Sequence, residues 1–111
     1  MQKERKINIL GQEYDFIITT AKEDQKLTDF SGYHDGTINK IVIRAADDYN
    51  PHQNAIADYD VDFKRTIRHE LIHAFFEQSG LPGYSENEQL VDWFATQMPK
   101  ILEVVNEVEG L

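Results

Sequence analysis

Two histidines and a glutamate stand together at His69-Glu70-Leu71-Ile72-His73, in the order H-E-x-x-H. On a helix, residues four apart lie on one face, about one turn from each other. Both imidazoles can then reach a single metal ion. Glu70 sits at the edge of that face, where it can take a proton from a water on the metal. The surrounding segment reads as a helix over residues 61–79. Phe63, Ile67, Leu71, Ala74 and Phe75 form one apolar face, and Val61, Ile72 and Phe76 a further apolar patch. Between them runs a polar stripe of Asp62, Thr66, His69, Glu70, His73 and Glu77. A helix apolar on two sides is largely buried, so its stripe lines an internal cleft. Paired histidines are otherwise ordinary surface residues; here the helical context favours the metal reading.

Two histidines do not complete a site, because catalytic zinc usually takes three protein ligands and leaves a position for water. The other histidines, His34 and His52, both precede the motif. A carboxylate must therefore be considered. Glu77 lies one turn past His73, but a ligand from the same helix face gives a nearly linear array, a poor match to tetrahedral geometry. A second helix, over residues 85–97, offers Glu86 and Glu88. Glu88 and Asp92 stand at i, i+4 and share a face, with Val91 and Ala95 beside it to pack it inward. Glu88 can then bind the metal while Asp92 accepts the N–H of a ligand histidine and fixes its tautomer. The competing reading of Glu88 is local: Ser85-Glu86-Asn87-Glu88 fits a capping box. That box leaves Asp92 without a role.

The elements that must position these groups follow from periodicity. Residues 6–10 and 14–20 read as strands of a hairpin with Gly11-Gln12 in the turn. Residues 21–30 read as an irregular, exposed connection. Residues 32–35 form a short strand, Asp35-Gly36 a turn, and residues 38–44 the clearest strand of the chain. Residues 45–60 are polar and read as a loop bordering the cleft. Asp60 or Asp62 is the expected N-cap of the motif helix, and Gly80 its end. Pro99 is expected to break or restart the second helix, leaving a short terminal helix over residues 100–108. The fold expected is α+β, a small, mainly antiparallel sheet of three to four strands packed on the motif helix and a second ligand-bearing helix.

Length and composition bound the function. The 111 residues suggest one domain, and 41% hydrophobic content is that of a globular chain. The absence of cysteine excludes disulfides and thiolate-ligated zinc, and fits a reducing compartment. No signal-peptide core or membrane span is read, so a soluble cytoplasmic protein without a membrane partner is expected. A net charge of −9 repels phosphates and argues against nucleic-acid binding. The carboxylates are spread along the chain, which argues against mimicry of nucleic acid.

The motif and the following helix resemble the gluzincin metallopeptidases. The run Glu88-Gln89-Leu90-Val91-Asp92-Trp93-Phe94-Ala95, followed by Met98-Pro99, is similar to a pattern of the ImmA/IrrE family, over residues 63–99. The chain departs from that pattern at Ile72, where the family commonly has Gly, and at Val91, where it has Ala, and it has no helix-turn-helix segment. The resemblance implies a small sheet on two active-site helices. It implies zinc held by His69, His73 and Glu88, Glu70 as general base and acid, and Asp92 behind a ligand histidine. It implies hydrolysis of a peptide bond in a protein substrate, such as a regulatory protein of a phage or mobile element. Tyr84 is the candidate oxyanion donor, with Tyr59, His52 and His34 as others, and residues 38–44 are a candidate edge strand for an extended peptide. The alternative is a zincin-fold binding module that acts by contact with a protein partner; the presence of Glu70 argues against it. A structural protein with a fortuitous motif is disfavoured by the Glu88–Asp92 pair.

Overall fold

Apolar strands and two long amphipathic helices give an α+β architecture. The computed structural model describes residues 2–48 and 56–111, and the side chains of these except 56–61. The strands are β1 (Lys3–Ile9), β2 (Gln12–Thr19), β3 (Gly32–Asp35) and β4 (Lys40–Arg44). The helices are α1 (Ile56–Gln78), α2 (Pro82–Ser85) and α3 (Glu88–Glu109). The sheet runs in the order β1-β2-β4-β3 and is mixed: β1–β2 and β3–β4 are antiparallel, and β2–β4 is parallel.

Several expectations change. The hairpin turn is Leu10-Gly11, not Gly11-Gln12, because Ile9 pairs with Gln12. Leu10 and Gly11 have φ of 51° and 92°, the two positive values of a type I′ turn, whose twist suits the flanking strands. The strand expected over residues 38–44 is shorter and is no edge. In β4, Ile41, Val42 and Ile43 are all buried, an apolar run that can only sit between two neighbours with both faces covered. The edge strand beside α1 is β3. Residues 21–30 are not wholly irregular: a 3-10 turn at Gln25–Thr28 buries Leu27, and Arg44 Nη1 donates to the Leu27 carbonyl at 3.0 Å.

Helix α1 starts at Ile56, earlier than expected, so Asp60 and Asp62 lie inside it rather than capping it. Its end is at the expected glycine. Gly80 has φ of 79°, Leu81 N–H donates to the Phe76 carbonyl at 2.8 Å and Gly80 N–H to the Glu77 carbonyl at 3.3 Å, a Schellman motif. The two apolar sides of α1 go to different partners. Ala74, with Phe63, Ile67 and Leu71, packs on Ile9, Tyr14, Ile41 and Ile43 of the sheet. Ile72 and Phe76 pack on Val91, Ala95, Phe94 and Met98 of α3. Phe75, expected on the sheet side, is exposed.

Pro99 does not break α3, which runs unbroken through it. A proline inside a helix leaves the carbonyl four residues back without its donor. Here that carbonyl belongs to Ala95, and Arg68 Nε donates to it at 2.6 Å. The motif helix thus supplies the hydrogen bond the proline removes.

Candidate metal centre

The cleft opens between α1, α3 and β3. Strand β3 lies unusually close to α1 at Gly32. A Cβ there would fall 2.9 Å from Thr66 Cγ2 and 3.0 Å from both Ile43 Cδ1 and the Val42 carbonyl oxygen, so only glycine allows this approach. Phe30, Gly32, Thr66, His69, Glu70 and Asp92 line one part of the cleft. Tyr33, His34, His73 and Glu88 line the adjoining part.

His69 and His73 project from α1 with their Nε2 atoms 3.2 Å apart. Glu88 stands at the first residue of α3, whose N-cap is Asn87; its side chain accepts from Leu90 N–H at 3.0 Å. That placement brings Glu88 Oε2 to 3.0 Å from His69 Nε2, and Oε1 to 3.1 Å from His73 Nε2. One turn further on, Asp92 Oδ1 is 2.8 Å from His69 Nδ1. On the other histidine, Ser85 Oγ is 3.0 Å from His73 Nδ1 and 3.4 Å from the His73 carbonyl. The capping-box role for Ser85 is therefore not found: Asn87 caps α3, and Ser85 is buried against His73.

These contacts fix tautomers. An ionised carboxylate only accepts, so His69 donates Nδ1–H to Asp92. Ser85 donates its hydroxyl proton to the His73 carbonyl and accepts His73 Nδ1–H. Both Nε2 atoms then carry lone pairs and face each other and the Glu88 oxygens. Three acceptors converge with no proton between them, which is the donor set a cation requires. A tetrahedral ion with bonds of about 2.0–2.1 Å spaces its ligands about 3.3–3.4 Å apart, close to the separations here. His69, Glu70 and His73 also present ligand atoms within 4.8 Å of one another and could hold a metal ion. Of the two carboxylates, it is Glu88 that meets both Nε2 atoms at hydrogen-bond distance.

Glu70 differs in its surroundings. It is buried, and its carboxyl is pushed up to about 7, first by burial and then by the Glu88 charge, with His69 acting in the opposite direction. Burial likewise holds His73 below the ordinary histidine value. A carboxyl titrating near neutrality can both accept and return a proton.

His34 completes the floor. Its Nδ1 is 2.9 Å from Glu77 Oε2, and its ring lies between Tyr14 and His73, nearly parallel to both. Its Nε2 is buried and has no partner among the described residues. Glu77 is thus engaged one turn beyond the histidines rather than with them. Tyr84 is on α2, half exposed, with its ring on Phe76 rather than lining the cleft. His52 and the side chain of Tyr59 lie outside the described residues. Sequence reasoning missed Ser85, the His34–Glu77 pair and Gly32. Ser85 carried a signal that pointed elsewhere, and the other two carried none.

No helix among the described residues is long and apolar enough to cross a membrane. Compared with known proteins, the chain matches no protein-family model, no curated protein and no solved structure.

Proposed function

We propose that this chain is a minimal gluzincin-type zinc metallopeptidase, of zincin-like packing and resembling the ImmA/IrrE family, that hydrolyses a peptide bond in a protein substrate. One observation carries the reading: His69 Nε2, His73 Nε2 and the Glu88 carboxylate converge within 3.2 Å of one another, beside a buried Glu70. A purely structural metal site has no use for the last of these.

In this reading His69, His73 and Glu88 hold zinc, which supplies Lewis acidity that polarises a carbonyl and acidifies water. Asp92 and Ser85 hold the Nδ1–H of the two histidines, so that both Nε2 lone pairs stay directed into the cleft. Glu70 takes the proton of the attacking water and passes it to the leaving amine. Among the described residues β3 has no strand neighbour on the side away from β4, and an extended peptide can add there as a further strand. A regulatory protein of a phage or mobile element is the substrate class the resemblance supplies.

The test begins with the metal. Purified protein is expected to carry about one zinc per chain by elemental analysis and to melt at a higher temperature with Zn²⁺ than after chelation. Glu70→Gln is expected to keep the metal and lose at least about a hundredfold in cleavage of an unfolded protein such as casein. Protein that takes up no zinc and gains no thermal stability from it would sink the proposal. Zinc bound, with full biological effect retained in Glu70→Gln, would point instead to a binding module.

A further inference from the structure

The second half of α3 has no use in the metal centre. From Pro99 to the end of the chain every residue is exposed. Ile101, Leu102, Val104, Val105 and Val108 are nonetheless large and apolar, with Leu102 at 52%, Val104 at 57% and Val108 at 58% exposure. On a helical wheel they fall within one half of the circumference, and Lys100, Glu103, Asn106 and Glu107 occupy the other. The stripe joins an apolar groove lined by Leu71, Ile72, Phe75 and Met98, with Arg68 at its border. A contiguous apolar surface of this kind marks an interaction site.

The spacing specifies the occupant. Apolar residues at 101, 104, 105 and 108 repeat at three and four positions, which is the seam one helix presents to another. The charges then choose the partner and its direction. Lys100 and Glu107 flank the stripe on the same side, one near each end. A parallel pair of these helices turns the flank of Glu107 toward the flank of Glu109 on the other copy, like charge to like, whereas an antiparallel pair brings the same flanks together and sets Lys100 of each copy toward Glu107 of the other. The same antiparallel pairing carries Glu109, on the opposite flank, toward Arg68 of the second copy. We propose that this face binds a second copy of this chain, α3 against α3 in antiparallel two-fold pairing. Val105 lies about 25 Å from Glu88 by helical rise, so the pairing leaves both clefts open. The interface is independent of the metal reading and is tested without metal or substrate.

Light scattering across a concentration series is expected to show a mass rising from the chain's 12.9 kDa toward twice that value. Val105→Glu or Leu102→Lys, both at exposed positions, is expected to weaken the dimer at least about tenfold, with helical circular dichroism unchanged. Lys100→Glu is expected to weaken it and the double change Lys100→Glu with Glu107→Lys to restore it. A mass of 12.9 kDa at every concentration overturns the proposal. So does a dimer that none of these substitutions affects, since it must use another surface.

Discussion

His69 and His73 leave the same helix one turn apart and meet at their Nε2 atoms, yet they are held from behind in different ways. His69 is held by Asp92, a charged carboxylate that is itself largely exposed. His73 is held by Ser85, a neutral hydroxyl that is buried. A charge-assisted hydrogen bond is the stronger in isolation. A buried one is the harder to replace, because no water reaches the group left behind. The pair therefore separates two contributions, charge and burial, within one constellation.

The largest effect is expected where the two histidines share a partner. Glu88→Ala is expected to lower zinc affinity about a thousandfold, one ligand's share of a site's binding free energy, as measured by competition with a chelating dye. A loss of tenfold or less would move the third ligand to Glu70. Next comes the carboxyl beside them. In the metal-free protein, folded Glu70 keeps its proton to about pH 7, against an ordinary value of 4.5. Its contribution to stability is therefore complete below pH 4.5 and is lost as pH rises to 7. His73, lowered by burial, works in the opposite direction, and comparison with Glu70→Gln subtracts it. Across that window wild type is expected to lose up to about 3 kcal/mol relative to Glu70→Gln in urea unfolding. Equal pH dependence of the two proteins would mean that Glu70 is ionised in the fold.

The smallest effects decide the comparison itself. Ser85→Ala is expected to cost about 10–100-fold in zinc affinity, because His73 Nδ1 loses its buried acceptor and the ring is free to turn or change tautomer. Asp92→Ala is expected to cost about tenfold, because water can take the place of an exposed carboxylate. The reverse order would show that charge outweighs burial here.

The sequence made one half of this arrangement legible. Asp92 stands one turn from Glu88 on a helix, and local periodicity is enough to put both on the histidine side. The α+β class and the double-sided packing of α1 were legible for the same reason. Ser85 was not, because its spacing to Glu88 imitates a capping box, and only the position of α2 against His73 gives it another partner. Gly32 and the His34–Glu77 pair depend on how β3 docks onto α1, a long-range contact with no local period. The parallel β2–β4 pairing is non-local in the same way, since β3 is inserted between them in sequence but lies outside them in the sheet. Pro99 misled because its rule holds only for a helix without an outside donor, and Arg68 is one.

His73 and Glu88 are fifteen positions apart, and among the described residues those that meet the two histidine rings through hydrogen bonds lie between 69 and 92. In the sheet the β2–β4 pairing is equally long-range, as in Asp15 with Lys40, whereas the β1–β2 and β3–β4 hairpins pair residues such as Ile9 with Gln12 and Asp35 with Lys40. Loop closure is less costly in entropy for the shorter span. The two hairpins therefore have the lowest contact order and are the parts of the chain able to form first, and the closure of α3 on α1 is as long-range as the β2–β4 pairing. A metal ion held between α1 and α3 would favour that long-range closure, and refolding with zinc would then be faster than refolding without it.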